Sequence, residues 1–184
     1  MRHYLISGLF LIALISACKK DDDKVNNPPP IVNEQEIITT MTLHFVDSSN
    51  SANSYSATFR DPDGDGGANY DIFDSIKLEA NKTWYTTIIL LNETANPVDT
   101  ISHDVLDEAD EHLVCFTPSG TGASVAITDL DGNNLPLGLQ STWKTGSAGT
   151  GTMQVILRHQ PGTKDGTCTP GESDIDVTFP VVVE

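Results

Sequence analysis

The chain has 184 residues and a formal net charge of −16, with 26 acidic against 10 basic side chains. That balance excludes a nucleic-acid binder and a protein that docks on anionic lipid by charge, since both need basic patches. It fits solubility at a crowded surface and an attraction for cations or basic partners.

Residues 1–17 read as a secretory signal peptide. Met1-Arg2-His3 carries the positive start, and Tyr4 to Ile15 is apolar apart from Ser7 and Gly8, too short to span a bilayer. Ser16 and Ala17 are small residues directly before Cys18, the pattern of a lipobox. The mature chain is therefore expected to begin at Cys18, diacylated on the thiol and acylated on the amine. Several acyl chains on one residue anchor firmly, where a single chain binds only marginally. The acidic run Lys19-Lys20-Asp21-Asp22-Asp23 resembles the export signal of Bacteroidetes surface lipoproteins, which implies the outer membrane and the cell surface; a solvated charged spacer is the other reading. Lys24-Val25-Asn26-Asn27-Pro28-Pro29-Pro30 is polar and Pro-rich, so residues 18–34 form the lipidated Cys, the export signal and a semi-stiff spacer.

Residues 35–184, about 150 in all, make one ordinary domain with room for a core. They alternate apolar and polar side chains at period two. Ile37, Met41, Leu43 and Phe45 share one face of a first strand, with Thr40, Thr42 and an exposed His44 on the other. Tyr55, Ala57 and Phe59 line a second strand, and Ile76 and Leu78 another. Trp84 to Leu91 is apolar or β-branched throughout, as suits a central strand. Further strands are expected near Leu113–Thr117, Ser124–Thr128, Leu139–Lys144, Met153–His159 and Ile175–Val183, separated by Gly, Asn, Asp and Pro clusters. About nine short strands predict an all-β, antiparallel β-sandwich, with a β-barrel as the alternative. Ser102 to Glu111 breaks the alternation and reads as one short acidic helical segment, with Ser102 as its cap and His103, Asp107 and Glu111 on one face.

Two cysteines remain once Cys18 is lipidated. Cys115 and Cys168 are expected to pair in an exported domain. The closed loop of about fifty residues would be worth roughly 4 kcal/mol in the chain-entropy model.

His112 opens one strand and His159 ends another, each in register with that strand's apolar residues. If the two strands are antiparallel neighbours, the imidazoles meet at one mouth of the sandwich. Glu111 adjoins His112, and His103 can approach from the helical segment. Two or three imidazoles with a carboxylate suit a transition metal such as zinc or copper. The competing role is to hydrogen-bond loop carbonyls at strand ends. Asp61, Asp63 and Asp65 with Gly66 match the opening of a calcium loop, but the bidentate Glu expected at its twelfth position is Ile72. Asp71 and Asp74 are nearby substitutes, and an Asp-Gly turn is the alternative. Asp129 and Asp131 repeat the pattern more weakly. Gly146 to Gly151 lacks the lysine and helix of a phosphate loop and reads as a hairpin connection. No nucleophile elbow is present, and the chain is not expected to be an enzyme. Asp74-Ser75-Ile76 and Asp99-Thr100-Ile101 resemble the Bacteroidetes O-glycosylation acceptor, which places candidate modifications at Ser75 and Thr100.

Arg60-Asp61-Pro62-Asp63-Gly64-Asp65-Gly66-Gly67, Leu90-Leu91-Asn92-Glu93-Thr94, Asp110-Glu111-His112, Leu157-Arg158-His159 and Asp174-Ile175-Asp176-Val177-Thr178-Phe179 resemble segments that recur in this order in small flavobacterial lipoproteins. Those proteins are often labelled type 1 periplasmic binding fold proteins. Such a fold needs two α/β lobes, about 300 residues in all, and this chain has neither the length nor the helices. The resemblance implies association with TonB-dependent outer-membrane uptake. The expected function is capture of a small ligand, such as a transition-metal ion, beside such a transporter. The alternative is a structural or adhesive module whose loops calcium stabilises.

Overall fold

The computed structural model of the protein describes residues 35–64 and 67–184. Cys18, the acidic run, the spacer and Asp65 lie outside the described residues. Among the described residues, ten strands and one helix follow in order: β1 (Thr40–Asp47), β2 (Asn50–Arg60), β3 (Ile72–Phe73), β4 (Ile76–Leu78), β5 (Thr83–Leu91), α1 (Ile101–Asp107), β6 (His112–Ser119), β7 (Ser124–Ile127), β8 (Gln140–Lys144), β9 (Gly149–His159) and β10 (Glu172–Val183).

The strands form two packed sheets, and the barrel alternative does not hold. One sheet has six strands in the order β3-β2-β1-β5-β8-β7; the other has four, β4-β10-β9-β6. The alternation read from sequence is what separates core from surface. Met41, Leu43 and Phe45 of β1 are buried, as are Trp84, Ile88 and Leu90 of β5 and Met153, Val155 and Leu157 of β9. Aromatic edges lock the layers together: Phe45 and Phe116 each meet Trp143 edge-on, and Phe73 of the larger sheet lies 5.9 Å from Phe179 of the smaller.

Several expectations need correction. β4 runs parallel to β10, so the sandwich is mixed, not purely antiparallel. The first strand begins at Thr40, and Ile37 lies outside it, 62% exposed. β5 is central in its sheet yet covered on one face only, so Tyr85 and Ile89 are exposed; an antiparallel sheet tolerates a wet outer face. His44 is half-buried, its Nδ1 3.0 Å from Ser56 Oγ. Helix α1 stops at Asp107, before Glu111, and its N-cap is Thr100, which makes no side-chain cap bond. Ser102 instead ties the helix to β5, accepting from Leu90 N at 2.7 Å and donating to Leu90 O at 3.3 Å. The Gly-rich segment is no hairpin: it carries the chain from β8 in one sheet to β9 in the other. A Cβ on Gly151 would fall 2.1 Å from Ser119 O, so β6 and β9 approach too closely there for any side chain.

Cys115 and Cys168 form a disulfide with Cα atoms 6.0 Å apart. Cys115 and Leu113 point away from the inter-sheet core, and both are buried. The bridge ties the loop after β9 to this outer side of β6.

Candidate metal centre

The site is built where three strands of the smaller sheet end together. β6 and β9 pair antiparallel with His112 directly opposite His159. Both histidines are buried, with 0% and 7% of their surface exposed. Their rings stack with centroids 4.7 Å apart and planes within 3°.

The third contributor comes from a bulge. The β9–β10 register runs Ser173↔Arg158 and then Ile175↔Leu157, leaving Asp174 as an extra residue. Simple alternation would put Asp174 on the outer face with Asp176, which accepts from Gln154 Nε2. A bulge re-aims one side chain at the cost of a ladder position. Here it turns Asp174 inward, where its carboxylate has no exposed surface. Gly171 prepares this turn. Its φ is +77°, and a Cβ there would lie 1.9 Å from His159 O.

The turn between α1 and β6 supplies the remaining acids. Glu111 N donates to Glu108 O at 2.9 Å, and Gln160 N donates to Glu111 O at 2.6 Å, which pins the turn to the end of β9. Lys164 Nζ donates to Ala109 O at 2.7 Å from the opposite side.

The polar atoms of the cluster are close to one another but not bonded. His112 Nδ1 lies 3.1 Å from Glu108 O. A carbonyl only accepts, so Nδ1 carries the proton and the lone pair of the neutral ring sits on Nε2. That Nε2 is 3.7 Å from Asp174 Oδ2. His159 Nδ1 is 3.9 Å from Asp174 Oδ1, and its Nε2 is 3.8 Å from Glu111 Oε2. These separations exceed hydrogen-bond length, and His112 Nε2, His159 Nε2 and Asp174 Oδ2 are buried without a hydrogen-bond partner. Glu108, His112 and His159 each offer a ligand atom within 4.8 Å of the other two.

Burial governs the charge states. It pushes the His112 pKa down to about 4, assisted by His159 and Lys164 and opposed by the Glu108 carbonyl. The ring is therefore neutral at pH 7 and able to donate its lone pair. Burial pushes the Asp174 carboxyl up. Glu36, the second described residue, is also pushed up, by burial and by the nearby carboxylates of Asp104, Asp174 and Glu108.

Two ligand atoms on a tetrahedral zinc-like ion at about 2.0–2.1 Å stand about 3.3 Å apart. The gaps here are wider: 3.7–3.9 Å from the imidazole nitrogens to Asp174 and Glu111, and up to 4.8 Å among the ligand atoms of Glu108, His112 and His159, so an ion would require these side chains to turn toward it. The donor set is two imidazoles with carboxylates, the chemistry of zinc and copper sites.

The fold brings His112, His159 and Glu111 together and leaves His103 out. His103 is exposed on α1 and lines a separate groove with Leu106 and Leu130. Glu108 and Asp174 join the cluster instead.

The acidic loops are a contrast. Asp61 Oδ1 accepts from Gly64 N at 3.2 Å, and Asp63 Oδ2 accepts from Ala68 N at 2.5 Å. Asp71 pairs with Arg60, and Asp74 Oδ2 accepts from Thr58 N at 3.0 Å. Asp131 Oδ1 accepts from Asn133 N and Leu135 N, while Asp129 accepts from Gly138 N and Gln140 N. Each of these carboxylates is engaged by donors of the protein itself: Asp61, Asp63 and Asp131 within their own turns, Asp71 and Asp74 on β2, and Asp129 on the segment leading into β8. Trp84 and Trp143 are core residues. Ser75 and Thr100 are both half-buried, and the Ser75 carbonyl accepts from Tyr55 Oη at 2.6 Å.

Comparison of the chain with protein-family models, with curated proteins and with solved structures finds no match in any of the three.

Proposed function

We propose that this chain is a lipid-anchored, surface-exposed outer-membrane lipoprotein, not an enzyme, whose β-sandwich captures a transition-metal ion, zinc or copper, in association with TonB-dependent uptake. His112, His159 and Glu108 would hold the ion, with Asp174 and Glu111 as the adjoining carboxylates. One observation carries the reading: two buried, stacked imidazoles expose unpartnered nitrogens to buried and half-buried carboxylates. A buried polar atom without a partner costs about 1–3 kcal/mol. A cluster of three such atoms is a standing demand for a ligand that satisfies them all. The lipobox at Cys18 and the acidic run behind it supply the address, and the net charge of −16 favours cations near the surface.

The test is metal titration of the mature chain by calorimetry, with Co²⁺ as a spectroscopic probe of coordination. Wild type should bind Zn²⁺ or Cu²⁺ tightly, and the double variant His112→Ala, His159→Ala should lose that binding. Equal affinity in the double variant would overturn the reading. Calcium-dependent melting without transition-metal binding would favour the structural or adhesive role. For the address, Cys18→Ala should abolish lipid labelling and membrane fractionation. Neutralising Lys19–Asp23 should leave lipidation intact but lose protease accessibility on whole cells.

A further inference from the structure

The larger sheet turns an uncharged face to solvent. At its centre the outward positions are Thr42, His44 and Val46 on β1 and Tyr85, Thr87 and Ile89 on β5. Ser54, Ser56 and Thr58 of β2 flank them on one side, and Gln140 and Thr142 of β8 on the other. None is an acid, a lysine or an arginine, in a chain with 26 acidic and 10 basic side chains. The smaller sheet is built otherwise, since its outward positions include Lys77, Arg158 and Asp176. A sheet face in water ordinarily carries both signs of charge for solubility. Here charge is left out across four neighbouring strands.

The two halves of this face differ. Thr42 Oγ1 lies 3.1 Å from Thr58 Oγ1, and His44 Nδ1 lies 3.0 Å from Ser56 Oγ, so β1 and β2 satisfy each other. On β5 and β8 the side chains of Tyr85, Thr87, Gln140 and Thr142 make no hydrogen bond within the described residues. Tyr85 and Ile89 are 57% and 41% exposed. They stand four residues apart on one strand, about 13 Å, with Thr87 between them. Past Ile89 the face runs into a groove of about 350 Å³ between β5, α1 and residues 129–140, and Thr87, Ile89 and Gln140 border both. Exposed Leu106 and Leu130 give the groove apolar walls. Asp129 at its side is spent on Gly138 N and Gln140 N.

The chemistry of this surface selects its ligand. A cation finds no acid on the face, and an anion meets the field of a chain of charge −16 with no basic group to oppose it. β1, β5 and β8 are each paired on both sides, so a peptide cannot add here as a further strand. Two copies packed face to face would want a continuous apolar centre, and Thr87 interrupts it. A sugar ring matches both kinds of group. Its C–H face packs on an aromatic or aliphatic side chain, and its hydroxyls donate and accept, as Thr, Gln and Tyr do. We propose that β5 and β8 bind an uncharged oligosaccharide laid along β5. One ring would stack on Tyr85, hydroxyls would bond to Thr87, Gln140 and Thr142, and the far end would enter the groove against Ile89 and Leu130. This surface shares no residue with the imidazole cluster and does not rest on the metal reading.

The test is calorimetric titration of the mature chain with cellohexaose, maltohexaose and mannohexaose, with hexagalacturonate as the charged control. At least one neutral sugar should bind with an affinity that salt does not change, and hexagalacturonate should not bind. Tyr85→Ala should weaken that binding about tenfold, as loss of a central aromatic contact does. Tyr85 is exposed, so the variant should melt like wild type and take up zinc equally. The proposal is overturned if no neutral sugar binds, if hexagalacturonate binds more tightly, or if Tyr85→Ala binds as wild type does. Sedimentation separates the remaining occupant: a wild-type dimer that Tyr85→Ala dissociates, without sugar binding, would assign the face to a second copy and overturn the proposal.

Discussion

The Asp131 turn and the His112–His159 cluster are both polar and both withdrawn from water, yet they are resolved in opposite ways. Asp131 is 7% exposed: Oδ1 accepts two backbone N–H groups, and Oδ2, which has no aligned hydrogen bond, is neutralised by the Lys164 ammonium 2.8 Å away. In the histidine cluster, three buried atoms lie within 4 Å of other polar atoms and bond to none of them. Buried polar groups in stable structures are nearly always satisfied. A satisfied buried charge is therefore a structural element, and an unsatisfied cluster points to a ligand. Lys164 links the two regions, since the same Nζ also donates to Ala109 O in the turn that carries Glu108 and Glu111.

The sharpest way to break the comparison is to unsatisfy the satisfied region. Lys164→Met removes one partner of a buried ion pair and should destabilise the fold by about 3 kcal/mol in urea denaturation. Adding Asp131→Asn should recover part of that loss, because the amide oxygen still accepts from Asn133 and Leu135 but no longer brings an unpaired charge. A Lys164→Met protein as stable as wild type would show that the pair contributes nothing, and the contrast would fail.

A somewhat smaller effect should come from pH. The folded His112 pKa of about 4 lies below the ordinary histidine value of 6.5, so between those values the unfolded chain binds a proton that the folded chain does not. Stability is then full above pH 6.5 and falls as pH drops toward 4, by about 2 kcal/mol at pH 5. The raised Asp174 carboxyl acts in the other direction, its contribution being lost as pH rises. The measurement is thus the difference between wild type and His112→Gln, both without metal. The variant's stability curve should be flatter from pH 6.5 to 4; coincident slopes would show that His112 is not held neutral.

The framework of this site is legible in the sequence, and its completion is not. His112 and His159 share the parity of the apolar residues on their strands, so one antiparallel pairing suffices to bring the rings together. The six-and-four division of the strands is not visible, because alternation identifies an inward face without saying which sheet it belongs to. Asp174 is hidden for a definite reason. It sits in an alternating run with Ile175 and Asp176, and only the bulge, a property of two strands in register, separates it from the outer face. Glu108 is hidden because Ser102 to Glu111 reads as continuous helix; α1 in fact ends at Asp107, and the turn that follows carries Glu108 beside His112. His103 fails for the same reason, since the helical face that joined it to Glu111 does not exist.

The smallest effect tests the other acidic loop. Asp63 accepts from Ala68 N, which, with a contribution from Asp61, holds its carboxyl below the usual carboxylate range, and Asp61 accepts from Gly64 N. These are turn contacts in an exposed segment, where losing one bond matters little. Asn keeps an acceptor oxygen at the same place, so Asp63→Asn should melt indistinguishably from wild type. Millimolar calcium, the range that weak extracellular calcium modules require, should move neither curve. A calcium ligand would behave otherwise: calcium would raise the melting temperature of wild type by mass action, and Asp63→Asn would remove that rise. Such a result would make the carboxylates of this loop ligands instead of turn formers, and internal hydrogen bonding would no longer separate the structural acids of this protein from its functional ones.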